Sequence, residues 1–187
     1  MSKQIIEINS YQPKPTEKFF FDANIWMFIY CPLGDYKSHI IAEYSNFLKK
    51  IKKEKSSLFV SSLVLSEFFN AYVRLEFELW KNKDCNNKEY REFKRTQSYK
   101  DIASEVSYTI KYLILKEAER VDDRFSEMDI EELFIQIENS DLNDNYYLEL
   151  VLMDQMIFVT NDGNVPSQKI KSPIITGNPR LLAQSTS

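Results

Sequence analysis

The sequence predicts an α/β protein with a central, mainly parallel sheet of about five short strands. Three observations carry that prediction. Short apolar runs rich in aromatic and β-branched residues recur along the chain, as in Phe19-Phe20-Phe21 and Ile157-Phe158-Val159. Between them lie longer segments whose apolar residues return at helical spacing. The runs are continuously apolar rather than alternating, the pattern of strands covered on both faces.

In chain order, residues 1–17 mix Lys, Gln, Glu and Asn with two prolines and read as an N-terminal extension. Residues 19–22 form a buried strand that closes on Asp22. Residues 23–30 start a helix that Pro32 and Gly34 break. Residues 38–53 are amphipathic, with Ile40, Ile41, Tyr44, Phe47, Leu48 and Ile51 on one face. Residues 58–61 are a second strand. Residues 62–80 form a long helix capped by Ser61 or Ser62, apolar on most of its circumference. Its polar stripe holds Ser66, Glu67, Asn70 and Arg74.

Residues 81–88 are polar and loop-like, and residues 90–116 read as one helix with Ile102, Val106, Ile110, Leu113 and Ile114 inward. Together, residues 81–116 make a long helical middle segment. A short strand is expected around Arg120-Val121, a short helix over 130–137 and a further helix over 141–153. Strands follow at 156–160 and 173–176, and residues 183–187 form a mobile polar tail.

Length and composition narrow the function. A chain of 187 residues reads as a single domain, 1–187, and 43 % apolar content supports a sizeable core. The three glycines, Gly34, Gly163 and Gly177, are too scattered for a Gly-rich phosphate loop. One histidine, His39, and two cysteines, Cys31 and Cys85, cannot build a zinc cluster. The cysteines read as reduced thiols of a cytoplasmic protein. No nucleophile motif accompanies His39, so enzymatic chemistry would fall to carboxylates and a metal. With no signal-peptide core and no apolar stretch of spanning length, the expectation is a soluble protein with no membrane partner.

The net charge of −4 is unevenly spread. Residues 49–55 and 81–100 are basic, whereas residues 122–149 carry ten acids against Arg124 alone. Such basic patches attract polyanions, though charge runs are more often solvated faces.

The candidate site is a set of acids: Asp22 at a strand end, Glu67 inside an apolar helix, Asp141 and Asp144 at a helix start, and Asp162 two residues past a strand. In an open parallel sheet, ligands gather at the carboxyl ends of the strands. Several carboxylates there would suit a hard divalent cation. Asn24, Asn70 and Thr160 lie where they could orient these acids or a metal-bound water. Read singly, each acid has another use. Asp22 and Asp141 cap helices, Asp162 sits in the turn-rich Asn161-Asp162-Gly163-Asn164, and Glu67 fits a solvent stripe.

Taken jointly, Phe19-Phe20-Phe21-Asp22-Ala23-Asn24, the stretch 61–70 with Glu67, and the stretch from Asp141 to Thr160-Asn161-Asp162 resemble the PIN-domain nucleases. The resemblance implies an α/β/α sandwich and RNA cleavage dependent on Mg²⁺ or Mn²⁺. It places Asp22, Glu67, Asp144 and Asp162 as catalytic and metal-binding acids, with Asp141 accessory or alternative and Thr160 as the accompanying hydroxyl. It extends to the toxin halves of toxin–antitoxin pairs, with an antitoxin protein and a homodimer as implied partners. The chain departs from the compact toxin type in its long middle segment and in the residues after Asp162. RNA contacts are expected from Arg74, Arg91, Lys94 and Arg95, with Tyr90, Phe93 and Tyr99 as stacking surfaces or, alternatively, inward-packed side chains. A silent PIN-like binding module and a DNA- or flap-directed metal nuclease are the competing expectations.

Overall fold

A computed structural model describes residues 5–83, 89–134, 137, 141–165 and 170–184. Its centre is a six-stranded sheet, β1 (Ile5–Glu7), β2 (Lys18–Phe21), β3 (Ser57–Val60), β4 (Glu119–Arg120), β5 (Ile157–Val159) and β6 (Ile174–Thr176). The strand order is β1-β6-β5-β2-β3-β4, and every pairing is parallel. Helices pack on both faces, giving an α/β/α sandwich.

The continuous apolar runs explain that layering. Phe19, Phe20 and Phe21 are all fully buried, although successive strand side chains point to opposite faces. Phe19 and Phe21 pack on Phe47 of α2 (Ser38–Glu54), and Phe21 also meets Trp26 of α1 (Ala23–Tyr30). Phe20 turns the other way and meets Tyr147 of α8 (Leu142–Met153). A strand with a polar face would leave one of these helices nothing to pack on.

The strand order reverses beside β2. From β2 the chain steps outward through β3 to β4, then returns to β5 on the other side of β2 and continues to β6. Register pairs Phe21 with Val159, and the ladder runs one step further through Asp22 N–H to the Val159 carbonyl at 3.0 Å. Asp22 and the Thr160-Asn161-Asp162 stretch thus emerge side by side at the switch point.

The structure departs from the sequence reading in two places. The N-terminal extension contains a strand, β1, which pairs with β6 through Ile5, Ile6 and Glu7. Three residues in a polar context give too little periodicity to be read in advance.

The expected helix over 90–116 is broken into α4 (Tyr90–Phe93) and α5 (Gln97–Thr109), followed by a π-helical turn at Ile110–Ile114 and α6 (Leu115–Glu117). Thr96 makes the break, since its Oγ1 accepts from Tyr99 N–H at 3.2 Å and caps α5. The wider π turn rotates Leu113 outward to 38 % exposure while Ile114 stays buried.

The helix predicted over 130–137 is α7 (Ile130–Phe134). Residues 135 and 136, like residues 185–187 of the predicted tail, lie outside the described residues.

The long helix α3 (Ser62–Lys83) keeps its predicted start, with Ser61 Oγ accepting from Val64 N–H at 3.4 Å. Its stripe is as read: Ser66, Asn70 and Arg74 are exposed and Glu67 half-buried. The final helix is α9 (Pro179–Ala183), capped by Asn178. Among the described residues, no helix is long and apolar enough to cross a membrane. Cys31 is buried with a free thiol, and Cys85 lies outside the described residues.

Candidate active site

Asp22 ends β2 and begins α1 in one residue. Its backbone continues the strand, while its side chain accepts from Asn24 N–H at the N-terminus of α1. The same carboxylate accepts from the Asn24 side-chain amide and, at 2.6 Å, from the Thr160 hydroxyl at the end of β5. Thr160 Oγ1 in turn accepts from Asp162 N–H at 3.0 Å, so Asp22, Thr160 and Asp162 form one hydrogen-bonded chain across the switch point.

Asp22 is buried at 4 % exposure. Burial pushes its carboxyl up to about 7; the Thr160 hydrogen bond pulls it back, and Glu67 and Asp162 push it further.

Asp144 lies in the first turn of α8, where the helix N-terminus favours an anion. It is buried at 8 % exposure, and its side chain makes no hydrogen bond among the described residues. Burial, followed by the fields of Asp22, Asp162, Asp141 and Glu67, pushes its carboxyl up to about 8.

Asp141 is the exposed N-cap of α8, accepting from Asn143 N–H at 2.8 Å. Its capping use is therefore realised, while its charge still reaches Asp144. Asp162 also keeps its turn role, since Oδ1 accepts from Asn164 N–H at 2.7 Å.

Glu67 approaches from α3. Tyr147, fully buried on α8, donates its hydroxyl to Glu67 Oε2 at 2.6 Å, and Asn143 Nδ2 donates to the same oxygen at 3.4 Å. Burial, and after it the charges of Glu67, Asp22 and Asp144, raises the Tyr147 phenol above its ordinary value, so it stays a donor. Asn70, expected to serve Glu67, instead bonds Ser66 Oγ at 3.5 Å. One turn along the stripe it faces Ser66, whereas the Glu67 carboxylate turns inward to α8.

Apart from Asn24, the second layer around the site was not visible in the sequence. Tyr44, buried on α2, donates to Asn161 Oδ1 at 2.9 Å and accepts from Gly177 N–H at 2.9 Å. A Cβ at Gly177 would meet the end of the Glu43 side chain, which would have to swing away. Asn178 Nδ2 reaches the Asn161 carbonyl at 2.6 Å, and Asn24 Oδ1 accepts from Asn161 N–H at 3.3 Å. These bonds hold the Thr160-Asn161-Asp162 stretch against three separate elements. Tyr44 and Asn178 carry no motif of their own, and only the helical phase of Tyr44 within residues 38–53 hinted at its burial.

The fold thus sets Glu67, Asp144 and Asp162 near enough to Asp22 that Asp22 and Asp144 both feel the charge of the other acids, with Asp141 reaching Asp144 alone. Among the described residues, no three His, Cys, Asp or Glu side chains are closed around a point as a metal cluster. The donor set is nonetheless all oxygen and surplus in negative charge, which suits Mg²⁺ or Mn²⁺. Mg²⁺ keeps several waters and is commonly held by one or two carboxylates rather than a full protein cage.

The basic residues do not gather here as a group. Arg74 lies on the Glu67 stripe of α3. Arg91 on α4 and Lys94 and Arg95 just after it sit beyond the far end of α3, all exposed. Phe93 is buried among Phe77, Trp80 and Tyr99, and Lys94 lies over the Tyr90 ring at 5.1 Å. Phe93 therefore packs inward rather than offering a stacking face. Residues 84–88 of the basic stretch lie outside the described residues.

No family model matches the chain, and no curated protein matches it significantly. Among solved structures it is similar to PAE2754 from Pyrobaculum aerophilum, at 17 % identity and a TM-score of 0.42 over 97 % of both chains.

Proposed function

We propose that this chain is a metal-dependent endoribonuclease of PIN type, with Asp22, Glu67, Asp144 and Asp162 as its active-site acids. The observation that carries the reading is Asp144. Its residue is largely buried, its carboxylate has no hydrogen-bond donor among the described residues, and it lies in the field of Asp22, Asp162, Asp141 and Glu67 at the switch point of a parallel sheet. Keeping such groups ionised side by side is costly, and a divalent cation would relieve that cost for the four acids together.

Asp22, Asp144 and Asp162 would hold Mg²⁺ or Mn²⁺ or its waters, with Asp141 as an outer acid. The ion supplies a water of lowered pKa and charge neutralisation at a phosphodiester. The chain's own residues do the positioning. Thr160 and Asn24 fix the Asp22 carboxylate, and Tyr147 and Asn143 fix Glu67, which would orient the attacking water. Arg74, on the same stripe, would hold a substrate phosphate. Toxin activity with an antitoxin partner, and a homodimer, belong to this reading through the PIN resemblance. A cytoplasmic location follows from the same resemblance and from the reduced-thiol reading of the cysteines.

The second reading is a PIN-like module that binds RNA without cutting it. Purified protein incubated with single-stranded RNA, structured RNA and DNA, with Mg²⁺, Mn²⁺ or EDTA, tests both. The expected result is metal-dependent RNA cleavage that Asp22→Asn and Asp144→Asn each reduce by at least about 100-fold, on the scale of losing a catalytic electrostatic group, with the fold retained. Equal cleavage by parent and variants would overturn the nuclease assignment. RNA binding indifferent to EDTA, without cleavage, would favour the module.

A further inference from the structure

Between α1 and α3 lies a recess of about 520 Å³ lined by Ala23, Met27, Phe28, Tyr36, Ala71 and Leu75. Its rim carries Asn24 and Glu67 on one side and Arg74 and Glu78 further along α3. The walls are apolar and the charges are confined to the edge. Phe28 and Tyr36 meet edge to face with centroids 4.9 Å apart, forming an aromatic wall. Gly34 allows that wall: a Cβ at position 34 would lie 2.0 Å from the Tyr36 ring, so a larger residue would displace it.

The position matters as much as the lining. Asn24 bonds Asp22, and Glu67 belongs to the acid group, so the recess opens directly beside the candidate active site. Arg74 is exposed and makes no ion pair among the described residues, leaving its guanidinium open to an anion. A second, smaller hollow of about 390 Å³ lies across Glu67 and Arg74 on the Asn70 and Asn143 side, so Arg74 stands between two spaces. A ligand fitting these features has a flat apolar body, an attached anion and a continuation toward the acids.

We propose that this recess is a base-binding subsite that takes one unstacked nucleobase, with Arg74 on the adjoining phosphate. The proposal rests on the nucleic-acid reading above and deepens it. The chain would act on single-stranded or looped nucleic acid, because a paired base cannot enter an apolar recess. The base stacks against Phe28 and Tyr36, the Ala71 and Leu75 side chains close the other wall, and the backbone passes over Glu67 toward Asp22.

The test uses metal-free protein, so that it does not depend on the acids. AMP, UMP and the corresponding nucleosides are titrated while the methyl signals of Met27, Ala71 and Leu75 are followed by NMR. The expected result is saturable shifts confined to those methyls, weakened at least about fivefold by Ala71→Trp, which fills the recess. Leu75→Phe fills it from another position and covers the case in which Ala71→Trp fails to fold. Arg74→Gln should remove the advantage of a nucleotide over its nucleoside while leaving nucleoside binding unchanged. Nucleotide-induced shifts located elsewhere, or none at millimolar ligand, would overturn the subsite even if the protein cleaves RNA. Shifts at these methyls without any cleavage would retain the subsite and remove the nuclease reading.

Discussion

The Tyr147 hydroxyl donates to Glu67 Oε2 at 2.6 Å, joining a residue fully buried on α8 to one half-buried on α3. The bond turns the Glu67 carboxylate away from the solvent stripe and toward Asp22 and Asp144. It ties together two helices that approach the site from different parts of the chain.

Tyr147→Phe should therefore separate positioning from folding. The ring keeps its packing on Phe20 and Phe158. The lost hydrogen bond to a carboxylate costs roughly 1.5–3 kcal/mol of stability. Under the nuclease assignment, kcat should fall about tenfold or more with KM for RNA little changed. Urea unfolding and steady-state kinetics measure the two effects separately.

Asp144→Asn is predicted to stabilise the metal-free protein at pH 8 while removing cleavage. Asp144 lacks a donor among the described residues and faces several acids, so neutralising it relieves desolvation and repulsion together. A gain of about 1–3 kcal/mol is expected from about 1.4 kcal/mol per pKa unit, read as a raised urea midpoint. A loss of stability would mean that Asp144 makes a compensating contact.

The stability of the metal-free protein should fall as pH rises from about 5 to 8. Asp22 and Asp144, held up to about 7 and about 8, lie above their ordinary value of 3.8. Within that window the native state binds more protons than the unfolded chain, so unfolding becomes easier with increasing pH. Their stabilising contribution is fully present below their ordinary value of 3.8 and is lost progressively as pH rises to about 7 and about 8. Glu7 and Glu127 are shifted downward, but both are on or near the surface and act only in more acid solution. Urea midpoints across this range, with and without Mg²⁺, measure the slope. A divalent ion that binds the ionised acids should flatten it.

Tyr44→Phe should loosen the Thr160-Asn161-Asp162 stretch without emptying the core. Its hydroxyl meets Asn161 Oδ1 and Gly177 N–H, and both lose their partner. The expected cost is about 1 kcal/mol, since Asn161 and Gly177 are half-buried and water can partly replace the lost hydroxyl. Faster amide exchange at Asn161 and Asp162 than at Phe158 would confirm that the effect is local.

Much of this arrangement was legible in the sequence, for identifiable reasons. Continuous runs such as Phe19-Phe20-Phe21 mark doubly covered strands, and the acid after each run falls at a carboxyl end because parallel strands share a direction. The strip Glu67, Asn70, Arg74 followed from helical phase alone. The strand order was not legible, because pairing is non-local. β1 was missed for that reason, as its three residues become a strand only through β6. The break at Thr96 and the π turn reflect local hydrogen bonding that apolar periodicity does not encode. Nor did the sequence reveal that Tyr147, rather than Asn70, would serve Glu67, since that depends on how α3 and α8 meet.

The most direct test of the central claim is an anomalous-difference map from crystals of the protein soaked in Mn²⁺ at pH 8, with Asp144→Asn crystals treated identically. The account predicts a Mn²⁺ peak bounded by Asp22, Asp144 and Asp162 in the parent, weakened or absent in the variant. No peak at that position in well-occupied parent crystals, or an equal peak in both, would contradict it.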